Sequence, residues 1–285
     1  MHQHVSSPAR HVARSALLVA FAASFVLAAR PAGAGELTLP ADALDRLAAR
    51  AAAMAPPEPY IRIHEADGSF RAVVMGDSMA DGMYSGLYRV MKDEAKLEFV
   101  KKTKVNTGIV RSDRYDWNEA ARTIAGEKKY DIAVLVFGAN DLQSIREGGK
   151  AYHFRQPGWE ERFSRRIDDI IASLKGENIA TYWVGLPITR KDRYQDDYAY
   201  VNGFFRAAAA RNGIRYVETW EAFADENGEF SAFGTNLSGE KVQLRADDGV
   251  HFTPQGYEKY ASVVAAVLRR DVAAASEKVA RQETD

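Results

Sequence analysis

The sequence predicts a three-layer α/β/α domain built on a five-stranded parallel sheet, spanning about residues 70–272. Three observations predict it. Short, continuously apolar runs alternate with longer segments whose apolar residues recur every three or four positions. Several of the runs, such as Ile132 to Phe137, hold no polar residue, as expected of strands covered on both faces. Finally, glycines follow the apolar runs at Gly76 and Gly138, where a strand hands over to the next element.

The elements can be justified in order. Ala72 to Met75 is the first strand, and Met79, Met83, Leu87, Val90 and Met91 mark one face of the helix after it. Leu97 to Val105 reads as the second strand and Ile132 to Phe137 as the third. Phe163, Ile167, Ile170, Ile171 and Leu174 give the next helix. Ile179 to Leu186 is a strand, followed by a helix through Tyr198, Val201, Phe204 and Phe205. Ile214 to Val217 is the last strand, and Tyr257, Ala261, Val264 and Leu268 line a closing helix. Between them, residues 221–250 hold the turn pairs Asn227-Gly228 and Ser238-Gly239, which predict a small β-hairpin insertion. Residues 273–285 are charged and carry no apolar period, so a frayed tail is expected.

The N-terminus reads differently. Arg10 and Arg14 precede an uncharged apolar stretch from Ser15 to Ala29, and Ala32-Gly33-Ala34 follows. That order is expected of a cleavable signal peptide, residues 1–34, with cleavage after Ala34. The apolar stretch is shorter than the roughly 20 residues a membrane span needs. Residues 35–69 form a lead-in in which Leu44, Leu47, Ala48 and Ala51 have helical spacing before Pro56-Pro57. Removal of residues 1–34 takes away three arginines and no acid, leaving 35 basic and 39 acidic residues and a net charge of −4 in place of −1. A periplasmic or secreted protein is expected, with no membrane span after cleavage. With no cysteine, neither a disulfide nor a lipidated Cys is available. The acidic balance points away from nucleic acid as a partner. Nothing in the composition speaks to oligomeric state.

In open α/β sheets, functional groups gather beyond the carboxyl ends of the strands. Three segments place polar residues there. Gly76-Asp77-Ser78-Met79 follows the first strand; its serine is a candidate nucleophile, while Asp77 or Ser78 could equally cap the helix. Gly138-Ala139-Asn140-Asp141 follows the third strand. The Asn140 carboxamide can donate to a developing oxyanion, though an Asn-Asp pair also favours turns. Asp248-Gly249-Val250-His251 precedes the last helix, with an acid able to reach back to Nδ1 of the imidazole. Of the six histidines, three lie in the expected signal peptide 1–34, leaving His64, His153 and His251, and only His251 has an acid at that spacing.

Serine early, asparagine in the middle and Asp-x-x-His late resembles the SGNH/GDSL hydrolases, from Ala72 to Leu268. Within them it is most similar to an exported bacterial branch catalogued as a domain of unknown function, with Gly-Asp-Ser-Met and Asp-Gly-Val-His-Phe-Thr blocks. The resemblance implies a flavodoxin-like fold and a catalytic triad of Ser78, Asp248 and His251. It also implies an oxyanion hole formed by Ser78, Gly108 and Asn140. Met79 stands where the family often has Leu, and Phe252-Thr253-Pro254 replaces a proline directly after the histidine. No metal or other cofactor is implied. The activity expected is two-step hydrolysis of an O-acyl ester, chiefly O-acetyl groups on cell-envelope carbohydrate. Acyl transfer to glycan hydroxyls and non-catalytic glycan binding are the alternatives. Tyr115, Trp117, Trp159 and Tyr194 are candidates to stack on sugar rings, or simply to pack.

Overall fold

A computed structural model describes residues 60–62, 68–190 and 194–282. The expected signal peptide (1–34) and most of the lead-in (35–69) lie outside the described residues. Those that are described fall in one compact unit, Arg46–Asp285.

Five strands form the central sheet: β1 (Phe70–Gly76), β2 (Leu97–Thr103), β3 (Ile132–Val136), β6 (Ala180–Val184) and β7 (Arg215–Val217). All pair in parallel, in the order β2-β1-β3-β6-β7, the doubly wound arrangement that the alternating pattern predicts. β1 shows why its run is wholly apolar. Ala72 and Val74 face one core, with helices α1 (Ser78–Val90) and α5 (Pro254–Gln282). Val73 and Met75 face the other, with α2 (Trp117–Gly126), α3 (Pro157–Gly176) and α4 (Gln195–Asn212). β2 is an edge strand, held to the helices by ion pairs of Lys101 with Asp81 in α1 and of Lys102 with Glu127 just after α2.

The insertion before Asp248 contains the expected hairpin, β8 (Phe233–Thr235) against β9 (Lys241–Gln243), turning through Ser238-Gly239. The other turn pair, Asn227-Gly228, lies within an Ala224–Phe230 bridge. A second hairpin was not anticipated: β4 (Ile145–Glu147) pairs with β5 (Lys150–Tyr152) around Gly148-Gly149, both at positive φ. Helix α2 was also missed. Its apolar face is short, and Trp117 at its start reads as a residue that stacks on sugar or packs, without a helix around it. Trp117 and Trp159 are in fact buried.

The charged end is helical, not frayed: α5 runs on to Gln282. Its apolar stripe is interrupted because Asp271 takes an inward position, fully buried. There its carboxylate accepts from Arg215 Nε at 2.5 Å and from Tyr182 Oη at 2.8 Å. Ala275, one turn further on, is buried as well. At the other end of the domain, Tyr60 Oη donates to Thr181 O and accepts from Thr181 N, anchoring the end of the lead-in to β6.

Helices α1 and α5 approach closely through glycine. A methyl group on Gly86 would lie 2.4 Å from the carbonyl oxygen of Tyr257, and one on Gly82 would lie 2.0 Å from the Tyr257 ring. Gly203 in α4 faces open space instead. Alanine is the better helix former by about 1 kcal/mol, so Gly203→Ala is expected to raise the melting temperature. Gly86→Ala is expected to lower it, because overpacking against backbone costs about 1–3 kcal/mol. Calorimetry of the two variants checks the opposite signs.

Candidate active site

The first strand delivers Ser78 to the carboxyl edge of the sheet. Asp77 caps α1, its Oδ1 accepting from Met79 N at 2.9 Å. The capping reading of this block is therefore right for Asp77, and it leaves Ser78 at the first helical position with its side chain free to point out. Ser78 is half-buried.

Residues 245–252 bring the other end of the chain to the same place. Asp248 Oδ1 accepts from the backbone N–H groups of Val250 at 2.8 Å and His251 at 2.9 Å, closing a tight turn. Its Oδ2 lies 2.7 Å from His251 Nδ1, and His251 Nε2 lies 2.8 Å from Ser78 Oγ. A carboxylate only accepts, so Nδ1 carries the proton; in the neutral ring Nε2 then accepts from the serine hydroxyl. Partial burial pushes the Asp248 carboxyl up, but the His251 ring and the two backbone N–H groups outweigh it and hold it below its ordinary value. Asp247 points elsewhere, accepting from Gln243 Nε2 at 3.1 Å. A serine hydroxyl, an imidazole and a carboxylate thus lie in one hydrogen-bonded line.

Asn140 and Gly108 lie beside this line. Asn140 Nδ2 donates to Thr107 O at 2.9 Å and, more weakly, to Asp77 Oδ2 at 3.3 Å. Gly108 is required by close approach: a methyl group there would lie 2.4 Å from Asp141 Oδ1 and 3.4 Å from Asn140 Cβ. The five residues singled out in the sequence therefore come together at one end of the sheet. His153 does not join them; its Nδ1 lies 3.2 Å from Ser144 Oγ in the region of the β4–β5 hairpin.

The supporting residues were not foreseen. Arg166 on α3, almost fully buried, donates from Nη1 to the carbonyls of Ile109 at 2.9 Å and Val110 at 3.1 Å, fixing the loop after Gly108. Trp117 Nε1 donates to Thr107 Oγ1 at 3.0 Å and Trp159 Nε1 to Gln143 O at 2.8 Å, so both indoles pin loops of the site from within the core. Asp77 and Asp141 are wholly buried. Burial, with the neighbouring Asp141 charge, raises Asp77 to about 7, against the opposing hydrogen bonds of Met79, Asn140 and Ala80. Burial likewise raises Asp141 to about 7, opposed by the N–H groups of Val110 and Ile109 and by Arg166. Only the short Asp77-Ser78 and Asn140-Asp141 pairs in the sequence hint at such a cluster.

The chain matches, over residues 71–267, the family model described as "Protein of unknown function (DUF459)". No curated protein matches it. Among solved structures, a GDSL-like lipase from Bacteroides thetaiotaomicron VPI-5482 aligns at 16% identity with a TM-score of 0.52, covering 79% of this chain and 97% of that one. An acetyl xylan esterase aligns at 17% and 0.51, covering 69% and 98%. LAE5, an alpha/beta hydrolase enzyme from the metagenome of Lake Arreo, Spain, aligns at 16% and 0.51, covering 76% and 98%. At these identities the likeness is one of fold, and the fold is that of the SGNH/GDSL hydrolases.

Asp141 gives a test of the buried acids. Its folded-state value near 7 lies above the ordinary 3.8, so the folded chain holds the proton where the unfolded chain has released it. Stability is therefore greatest below the lower value and falls as pH rises towards the upper one. Asp141→Asn keeps an oxygen for Val110 N and removes the titration. Its melting temperature relative to wild type is expected to be higher at pH 8 than at pH 4; an unchanged difference across that range would refute the assignment.

Proposed function

The chain belongs to the DUF459 family, and we propose that it is an exported serine esterase that removes O-acyl groups, chiefly O-acetyl, from cell-envelope carbohydrate. One observation carries the hydrolytic part of this reading: His251 hydrogen-bonds Ser78 at 2.8 Å and Asp248 at 2.7 Å at once. In the proposed reaction His251 takes the Ser78 proton as Oγ attacks the ester carbonyl. Asp248 keeps the ring oriented and stabilises its charged form. His251 then protonates the leaving alcohol, and a water activated by the same ring releases the acyl group.

The oxyanion of the tetrahedral intermediate is assigned to the backbone N–H groups of Ser78 and Gly108 and to Asn140 Nδ2. Asn140 gives up its 3.3 Å bond to Asp77 and keeps the shorter bond to Thr107. One such donor is typically worth about 10²–10³ in rate.

Support for a carbohydrate comes from a groove of about 670 Å³ between β2 and α2. It is lined by Tyr115 among Lys101, Lys102, Thr103, Asp116 and Glu119, a half-buried aromatic surrounded by hydrogen-bonding groups. Thr103 Oγ1 donates to Asp81 Oδ1, one turn along α1 from Ser78, which ties the groove wall to the nucleophile's helix. Of the other ring candidates, Tyr194 is exposed. The acetyl xylan esterase shares this fold, and export is read from the order of charged, apolar and small residues in 1–34.

The test is hydrolysis of a small acetyl ester by the purified chain. Ser78→Ala is expected to lose at least about 10⁴-fold in kcat, with His251→Ala and Asp248→Ala losing less in combination than the product of their separate losses. Turnover that survives Ser78→Ala, or no turnover together with no labelling by a serine-reactive phosphonate, would refute the reading. Tyr115→Ala is expected to raise KM severalfold on an acetylated polysaccharide while leaving the small ester unaffected; equal effects on both substrates would exclude the groove.

A further inference from the structure

Arg245 is fully buried, yet among the described residues no carboxylate makes a hydrogen bond to its charge. Its Nη2 donates to the carbonyls of Ile188 at 2.7 Å and Gly249 at 3.2 Å, while Nε and Nη1 have no hydrogen-bond partner among the described residues. The guanidinium lies 4.2 Å from the centre of the Phe252 ring and 5.6 Å from that of Phe230. Burying a cation on such terms is costly, and an apolar side chain of similar length is often neutral or better for stability. What the arginine does for the chain has to be sought in what it touches.

It touches the turn that carries the base. Gly249 lies between Asp248 and His251, and its carbonyl also accepts from Thr189 Oγ1 at 2.7 Å. Arg190 Nη2 donates to Asp247 O at 3.1 Å. The three residues 188–190, which follow β6, thus all reach the turn or the guanidinium that grips it. Arg245 itself stands at the base of the loop: it forms an antiparallel bridge with Phe252, and Ala246 N donates to His251 O at 2.8 Å. One nitrogen of Arg245 therefore joins the segment after β6 to the turn. The other ionisable groups facing it are Tyr198, Tyr260, Tyr257 and Asp248; burial lowers its pKa to about 10, so it remains charged at neutral pH.

We propose that Arg245 is a positioning residue: its guanidinium locks the Asp248–His251 turn onto the segment following β6 and so holds the imidazole at Ser78. This rests on the reading of Ser78 and His251 as nucleophile and base.

The experiment uses the full chain carrying Arg245→Met or Arg245→Lys, with a small acetyl ester as substrate. It measures kcat, KM, melting temperature and the rate of phosphonate labelling. Arg245→Met is expected to melt at or above the wild-type temperature, because it removes an unpaired buried charge. Its kcat is expected to fall about 10–100-fold, the scale of a small misplacement of a catalytic group, with KM within about threefold and labelling slowed by a similar factor. Arg245→Lys, which keeps a donor and the charge, is expected to recover part of the lost kcat. Wild-type kcat in Arg245→Met overturns the proposal. So does a loss of kcat that follows the loss of folded protein and disappears at a lower temperature where the variant is folded. If Arg245→Met does not fold, Arg245→Lys decides in the same way: a lowered kcat at constant KM supports positioning, and wild-type kcat overturns it. Failure of the esterase reading shows separately, in wild type and Ser78→Ala, whereas failure of this proposal shows only in the Arg245 variants.

Discussion

Ser78 and His251 stand 173 residues apart in the chain, and a hydrogen bond of 2.8 Å between their side chains needs a rigid frame behind each. That frame is the contact of two helices. Ser78 begins α1, and α5 begins three residues after His251, so the spacing of the helices sets the spacing of the two groups. Gly82 and Gly86 let the helices meet at backbone distance over Tyr257, and the apolar faces of both close against one side of the sheet. Most of the domain can be seen as what keeps that contact in place: a sheet whose strands carry the two segments to one edge, and a second helical layer that makes the sheet stiff.

Much of this was legible in the sequence because it is written in apolar period. The helices after β1, β3, β6 and before the C-terminus are long and one-sided, and burial on both faces leaves β3, and β1 from Ala72 to Met75, with no polar residue to confuse the reading. What was missed has a different physical character. α2 buries only one turn or two, led by a tryptophan, and the Gly148-Gly149 hairpin is too short for a period to show. At the C-terminus Asp271 faces inward, and a charged letter at a core position ends an apolar stripe in the text though not in space.

The site divides along the same line. Ser78, Asn140, Asp248 and His251 could be picked out because each belongs to a short block whose spacing has a chemical meaning. Gly108 rested on resemblance, and its reason is steric: Asp141 Oδ1 occupies the space a side chain would need. Arg166 and Arg245 were invisible, since arginine in a sequence reads as solvated surface, and the two indoles, legible as packing or stacking groups, gave no sign of the loops they pin. They matter through where their donors end, on backbone carbonyls and hydroxyls of loops that regular secondary structure does not hold. The buried Asp77 and Asp141 belong to the same class: polar groups drawn into the interior by the loops they organise.

Ser78 lies near one end of the domain and His251 near the other, which decides when the two can meet. A ribosome extends the chain from its N-terminus at about 5–20 residues per second, so the segment from Ser78 to His251 takes roughly 10–35 s to make. During that interval the serine has no imidazole, and the helix against which α1 packs has not been made. The hydrogen bond between Ser78 and His251 can thus form only in a polypeptide made past His251 and into the helix that follows it.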